Sequence, residues 1–174
     1  MKKNVAFSKL SPALITILVV LFVGVSCNSP KKESKEMFDM TSAKKAIEEQ
    51  NAVFIEAMNK GDSVTVANNY TIDAKFMQPN AKAAEGRNNI QHLMSNFMKS
   101  GMPVFDIKIV ELWGNDETLT VEEQWTFSDK DGKIVDSGKA LELWKMEDGK
   151  WKIHRDCYNS DMPMTMPMNM PKSH

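Results

Sequence analysis

The chain reads as an α+β domain, helices first and an antiparallel sheet after them, with the helices on one face of the sheet. Between Thr41 and Gly101 apolar residues recur at helical spacing; after Gly101 the period drops to two and stays there as far as Ser160. Helices followed by runs of strands mark this architecture, whereas parallel sheets alternate the two. The size agrees: about 125 residues lie between Met37 and Pro163, enough for one domain, and no internal repeat is visible.

Thr41 or Ser42 can cap a helix that runs to Lys60. Ile47, Phe54 and Met58 form its apolar stripe, with Val53 and Ala57 beside them. Gly61 stops it, and Asp62 can cap a short helix from Ser63 to Asn69. Ala74–Gln78 is a short strand ended by Pro79, and 80–85 is a loop. Gly86 precedes a second amphipathic helix with Ile90, Leu93, Met94, Phe97 and Met98 on one side, ended by Ser100 and Gly101. The strands are Phe105–Trp113, Thr118–Phe127, Lys139–Met146 and Trp151–Ser160. Their turns are Gly114–Glu117, Asp129–Gly132 and Asp148–Gly149, the last a pair that tolerates positive φ at both positions.

That last turn sets a register. A two-residue loop at Asp148–Gly149 faces Glu147 with Lys150, and regular pairing then puts Leu141 opposite Asp156, Leu143 opposite His154 and Lys139 opposite Tyr158 on one face. The other face receives Trp144 with Ile153, Met146 with Trp151, and a Glu142–Arg155 ion pair. So much aromatic surface on an outer face reads as a dimer interface. A bulge would exchange the faces and turn the tryptophans into core.

The N-terminus carries an address. Lys2 and Lys3 precede an apolar run from Leu10 to Val25, and small residues Gly24 and Ser26 precede Cys27. A basic start, a short apolar stretch and small residues before a cleavage point describe a secretory signal, and the run falls short of the ~20 residues of a spanning helix. Cys directly after it resembles a bacterial lipobox. The expectation is a lipoprotein signal over 1–26, lipid on Cys27, a polar tether over 27–40, the domain over 41–163 and a Met/Pro-rich tail over 164–174. The protein then sits in the cell envelope, lipid-anchored outside the cytoplasm at the outer membrane or periplasmic face.

Removing residues 1–26 takes away three basic residues and no acid, so the net charge moves from −1 to −4. A mildly acidic chain without a basic cluster is not built for nucleic acid. With Cys27 lipidated, Cys157 has no partner within the chain; the expectation is a small buried hydrophobe. His92, His154 and His174 lie far apart and no cofactor motif appears. The tail holds five of the 14 methionines, Met162 to Met170 at alternate positions. Thioethers suit Cu(I), which makes Met164, Met166, Met168 and Met170 candidate ligands; the alternative is a Pro-rich tail without metal.

Tyr70-Thr-Ile-Asp-Ala-Lys-Phe-Met-Gln-Pro79, Glu85-Gly-Arg87 and the ending Asp148-Gly-Lys-Trp-Lys-Ile-His-Arg-Asp-Cys-Tyr-Asn-Ser-Asp161 resemble the nuclear transport factor 2-like superfamily, in its SnoaL-like, ketosteroid-isomerase-related branch, over roughly residues 42–163. The resemblance implies a cone-shaped fold, a curved antiparallel sheet wrapped around the N-terminal helices with an apolar pocket inside, and frequent dimerisation through the outer sheet face. The isomerase machinery does not carry over. Its general base falls on Gln78, an amide that takes no proton at useful pH. Its oxyanion-hole tyrosine falls on Phe54, and its protonated acid falls near Leu141, with Glu142 the nearest acid.

The same comparison turns His154, Asp156 and Tyr158 toward the pocket. His154 and Asp156 are then a candidate acid–base pair, tuned by desolvation, for an enzyme acting on a small organic substrate. The plainer alternative has Asp156 and Tyr158 satisfying each other and nearby backbone. Tyr70, Gln78, Trp125, Leu141, Leu143 and Tyr158 are the candidate ligand-binding residues. The leading functional expectation is a homodimeric domain binding a small apolar molecule or partner without a defined reaction.

Overall fold

A computed structural model describes residues 38–163. Its elements, in order, are helix α1 (Met40–Lys60), helix α2 (Ser63–Asn68), strand β1 (Tyr70–Met77), the short strand β2 (Ala84–Glu85), helix α3 (Arg87–Lys99) and strands β3 (Val104–Gly114), β4 (Thr118–Ser128), β5 (Ile134–Glu147) and β6 (Lys150–Ser160). Cys27 and the methionines 164–170 lie outside the described residues.

The α+β class holds, and the strands form one curved six-stranded sheet in the order β2-β1-β6-β5-β4-β3. The expected all-antiparallel sheet is corrected at one place: β1 pairs with β6 in parallel. Strand β1 lies between β2 and β6 in the sheet.

Asp39, not Thr41 or Ser42, caps α1; its carboxylate accepts the N–H groups of both, which belong to the first turn. Gly61 closes α1 at φ 74°, and Asp62 caps α2 through the N–H groups of Val64 and Thr65. The buried face of α1 is Ala43, Ile47, Asn51, Phe54, Ala57 and Met58; Val53 lies off it and is exposed. Only Ile90 and Met94 of α3 are buried; Leu93 and Met98 are partly open, and Phe97 is exposed. Asp148 and Gly149 both have positive φ, 54° and 73°, as a two-residue hairpin requires.

One β-bulge decides the interior. Near the turn Trp144 pairs with Ile153 and Met146 with Trp151, as expected; beyond it Leu143 pairs with Arg155, Glu142 with Asp156 and Ala140 with Tyr158. The extra residue is His154. Its insertion inverts the alternation of β6, so Trp151 and Ile153 point inward on one side of the bulge and Asp156 and Tyr158 on the other. Strand β5 keeps its phase, with Gly138, Ala140, Glu142 and Trp144 inward.

Several expectations change together. Trp144, Trp151 and Ile153 are 1 %, 6 % and 2 % exposed and belong to the core, not to an outer interface. No Glu142–Arg155 pair forms: Glu142 is buried, and Arg155 donates to the carbonyls of Asp73 and His154. Cys157 is exposed rather than buried, because the inverted phase turns it outward beside Leu141.

Gly138 makes room for the Trp125 ring. A Cβ there would lie 2.0 Å from the carbonyl oxygen of Asn159 and 2.4 Å from the Trp125 ring. Trp125 covers the glycine opposite it in the register, which a side chain would prevent.

Candidate active-site cavity

The inner sheet face and the helices do not close completely. Between them lies a cavity of about 320 Å³. Phe54 and Met58 of α1 and Leu93, Met94, Asn96 and Phe97 of α3 form one wall. Phe105 and Ile107 of β3, with Trp125 and Phe127 of β4, form the sheet side, and Tyr70 and Phe76 of β1 close it with Gln78 just beyond. The rings support each other: Phe76 stacks on Tyr158 at 5.3 Å, and Trp125 meets Tyr158 edge-on at 5.9 Å.

Three acids interrupt this lining. Glu123, Glu142 and Asp156 are 2 %, 5 % and 5 % exposed, and all three border the cavity. Each accepts one hydrogen bond: Glu123 from Asn51 Nδ2 at 2.5 Å, Glu142 from Trp144 Nε1 at 2.7 Å, and Asp156 from Tyr70 Oη at 2.7 Å. Glu142 and Asp156 are direct cross-strand partners, and Glu123 sits one diagonal step away, since its own partner is Ala140. Carboxylates this close in an apolar surrounding cannot all ionise at neutral pH.

Burial is the leading cause at each acid. It lifts Asp156 to about 6 against the Tyr70 hydrogen bond that favours its charged form. Burial lifts Glu123 to about 7, opposed by Asn51 and helped by the charge of Asp156. Glu142 is held well above the usual carboxylate range, through burial and the charges of Glu123 and Asp156, despite the Trp144 bond. Burial and the acid beneath it also raise Tyr70, which stays a neutral phenol donor. Chemically, the site offers an apolar pocket with acid groups that exchange protons near neutral pH.

Of the residues singled out from the sequence, Tyr70, Gln78, Trp125, Asp156 and Tyr158 border the cavity. His154, Leu141 and Leu143 do not. Leu141 is 53 % exposed on the outer face, and Leu143 shares that face. The bulge also takes His154 away from Asp156. Its Nδ1 lies 3.0 Å from Thr71 Oγ1 and 3.4 Å from Asp73 Oδ1, while Asp156 is held by Tyr70 inside. Burial and the charges of Arg155 and Lys145 lower the His154 pKa, against the pull of Asp73, so the contact with Asp73 is a polar contact of a mostly neutral ring. The expected His154–Asp156 pair is not assembled.

Glu123 is the cavity acid missed in the sequence, and Glu142, expected there in an ion pair with Arg155, is the second. A signal was present: Glu123 shares the inward phase of Val121, Trp125 and Phe127, and Glu142 that of Ala140 and Trp144. Arg87, from the Glu85-Gly-Arg87 motif, works outside the cavity. It pairs with Glu147 and donates through Nε to the Tyr70 carbonyl at 2.9 Å, tying the start of β1 to the last hairpin. Glu147 falls to about 2: burial opposes this, but the Ile72 N–H, Lys152 and Arg87 outweigh it. Among the described residues no cluster of His, Cys, Asp or Glu is arranged to hold a metal ion.

Comparison with known proteins agrees with this architecture. A domain of unknown function with a cystatin-like fold from Nostoc punctiforme PCC 73102 superposes with a TM-score of 0.65 at 14 % identity, over 72 % of this chain and 82 % of that one. A ketosteroid isomerase-like protein from Erwinia carotovora atroseptica SCRI1043 gives 0.57 at 21 % identity, over 68 % and 96 %. A protein from Catenulispora acidiphila in complex with S-DNPA gives 0.59 at 16 % identity, over 70 % and 95 %. No curated protein matches the sequence. The profile of the SnoaL-like domain matches residues 52–154, from the middle of α1 to the bulge of β6, and the chain belongs to the SnoaL-like domain family.

Proposed function

We propose that this domain binds a small, mostly apolar organic molecule reversibly in the cavity between its helices and sheet. The observation that carries the reading is the cavity itself, about 320 Å³ walled by aromatic and aliphatic side chains. Protein interiors are close-packed and leave few voids larger than a water molecule, so a space of this size in an otherwise dense core is a ligand site by default. The Catenulispora acidiphila protein, similar in fold and in complex with S-DNPA, supports the reading. The proposal includes the address read from the sequence, with lipid on Cys27 holding the domain at the cell envelope. It also includes self-association through the outer sheet face, where Leu141 and Cys157 are exposed register partners. The tryptophans no longer support that interface.

The test is saturable binding of Nile red, a neutral apolar dye, to the full-length chain and to Ala140→Phe. Ala140 is buried on the inner face between Gly138 and Glu142, and the added ring occupies the cavity. The expected result is a fall in affinity of at least about tenfold with the melting temperature retained. Equal affinity in both proteins would place the dye elsewhere and remove the reading.

A further inference from the structure

The polar groups of the cavity have a sign. Glu123, Glu142 and Asp156 are each engaged through one oxygen only, and the second oxygen of each has no hydrogen-bond donor among the described residues. No Lys, Arg or His borders the cavity, so its lining supplies no countercharge. One donor in the same wall also lacks a partner, and it calls for an acceptor rather than a cation. Trp125, 6 % exposed and part of the same wall, has an indole Nε1–H without an acceptor. Buried polar groups without partners are rare in native interiors. The acids do not group as metal ligands do, so the complement is an organic head group on a larger body. Phe76, Trp125 and Tyr158 add ring surfaces, which attract cations as well as apolar groups.

The geometry points to a small apolar amine as the ligand, its ammonium group held among Glu123, Glu142 and Asp156 and its apolar body against Phe54, Phe105 and Trp125. This deepens the apolar-ligand reading and rests on it. A protonated amine provides donors for the carboxyl oxygens that lack them and the positive charge that the wall lacks. Because the ammonium favours the carboxylate forms, its binding expels protons from the acid cluster. The groups facing that cluster are Tyr70 from β1, Asn51 from α1, Trp144 from β5 and Tyr158 from β6. None of them is a cation that would compete.

The experiment compares 2-naphthylmethylamine with 2-naphthylmethanol, a cation and a neutral molecule of nearly the same shape, by calorimetry on the full-length chain at about pH 7.5. The amine is expected to bind about tenfold more tightly or better, since hydrogen bonds to charged groups are the strong ones. Measured in two buffers of different ionisation enthalpy, the amine should release protons and the alcohol should not. In Glu123→Gln and Asp156→Asn the ratio of amine to alcohol affinity should shrink to within about twofold. The proton-release measurement uses the unaltered protein and stands even where a variant fails to fold. Equal binding of amine and alcohol, a preference for the alcohol, or amine binding without proton release would overturn the inference and leave the apolar cavity in place. Failure of both compounds to bind would overturn the apolar-ligand reading as well.

Discussion

Replacing Glu123 by glutamine should stabilise the protein, and should do so only at higher pH. Glu123 is 2 % exposed and its carboxyl is raised from 4.5 to about 7. In the unfolded chain it titrates near its ordinary value, so between about pH 4.5 and 7 the folded state holds a proton that the unfolded state has lost. Stability is therefore full below that window and falls as pH rises through it. A displacement of about 2.5 pK units corresponds to roughly 3 kcal/mol at pH 8, at 1.36 kcal/mol per unit. Glutamine has no proton to lose, and its amide oxygen can still accept the Asn51 bond. It also removes a charge that lifts Glu142. Thermal melts of the two proteins at pH 5 and pH 8 read this directly. At pH 5 they should nearly coincide; at pH 8 the variant should melt higher by roughly 10 °C, since 1 kcal/mol moves a domain of this size by several degrees. The wild type should lose stability across the interval, and the variant should keep only the part due to Asp156 and Glu142. Displacement of the two melting curves by the same amount at both pH values would refute the claim that Glu123 is a buried acid held near neutral.

Other residues give further expectations. Gly138→Ala should cost about 2 kcal/mol or more by chemical denaturation, because its Cβ would meet backbone 2.0 Å away, and overpacked cores lose about 1–3 kcal/mol. A wild-type melting curve for that variant would mean that the Trp125 cradle yields freely. His154→Ala should leave Nile red affinity within about twofold of wild type, since His154 does not border the cavity; a loss as large as that of Ala140→Phe would reinstate it at the site. Cys27→Ser should move the protein from the membrane fraction to the soluble fraction of cells, whereas unchanged fractionation would exclude lipid at that residue as the anchor.

Most of the architecture was legible because it depends on local chemistry. Gly61, Asp62 and Asp148–Gly149 mark boundaries through positive φ and capping, and these hold wherever the segments pack. The change of period after Gly101 separates helices from hairpins for the same reason. Two features depend on contacts between distant residues and escape a linear reading. The parallel β1–β6 pairing joins segments about 80 residues apart. The bulge at His154 leaves no mark in the alternation of β6 that fixes its position, yet it exchanges the faces of half a strand. Regular pairing put His154 beside Asp156 and the tryptophans outside. One inserted residue puts the tryptophans in the core, parts His154 from Asp156, and sets Asp156 against Glu142. The acid cluster could have been found from β4 and β5 alone, where Glu123 and Glu142 occupy positions whose neighbours in phase are apolar.

The central claim, that the cavity between helices and sheet receives the ligand, has built-in reporters. The chain holds four tryptophans, and their indole N–H groups give four nuclear magnetic resonance signals. Trp125 borders the cavity, Trp144 is bonded to the cavity acid Glu142, and Trp113 is 42 % exposed on β3. During titration with 2-naphthylmethanol the account predicts saturable shifts of the Trp125 and Trp144 signals while Trp113 stays in place. Movement of Trp113 alone, or no movement at Trp125 at saturating ligand, would contradict it.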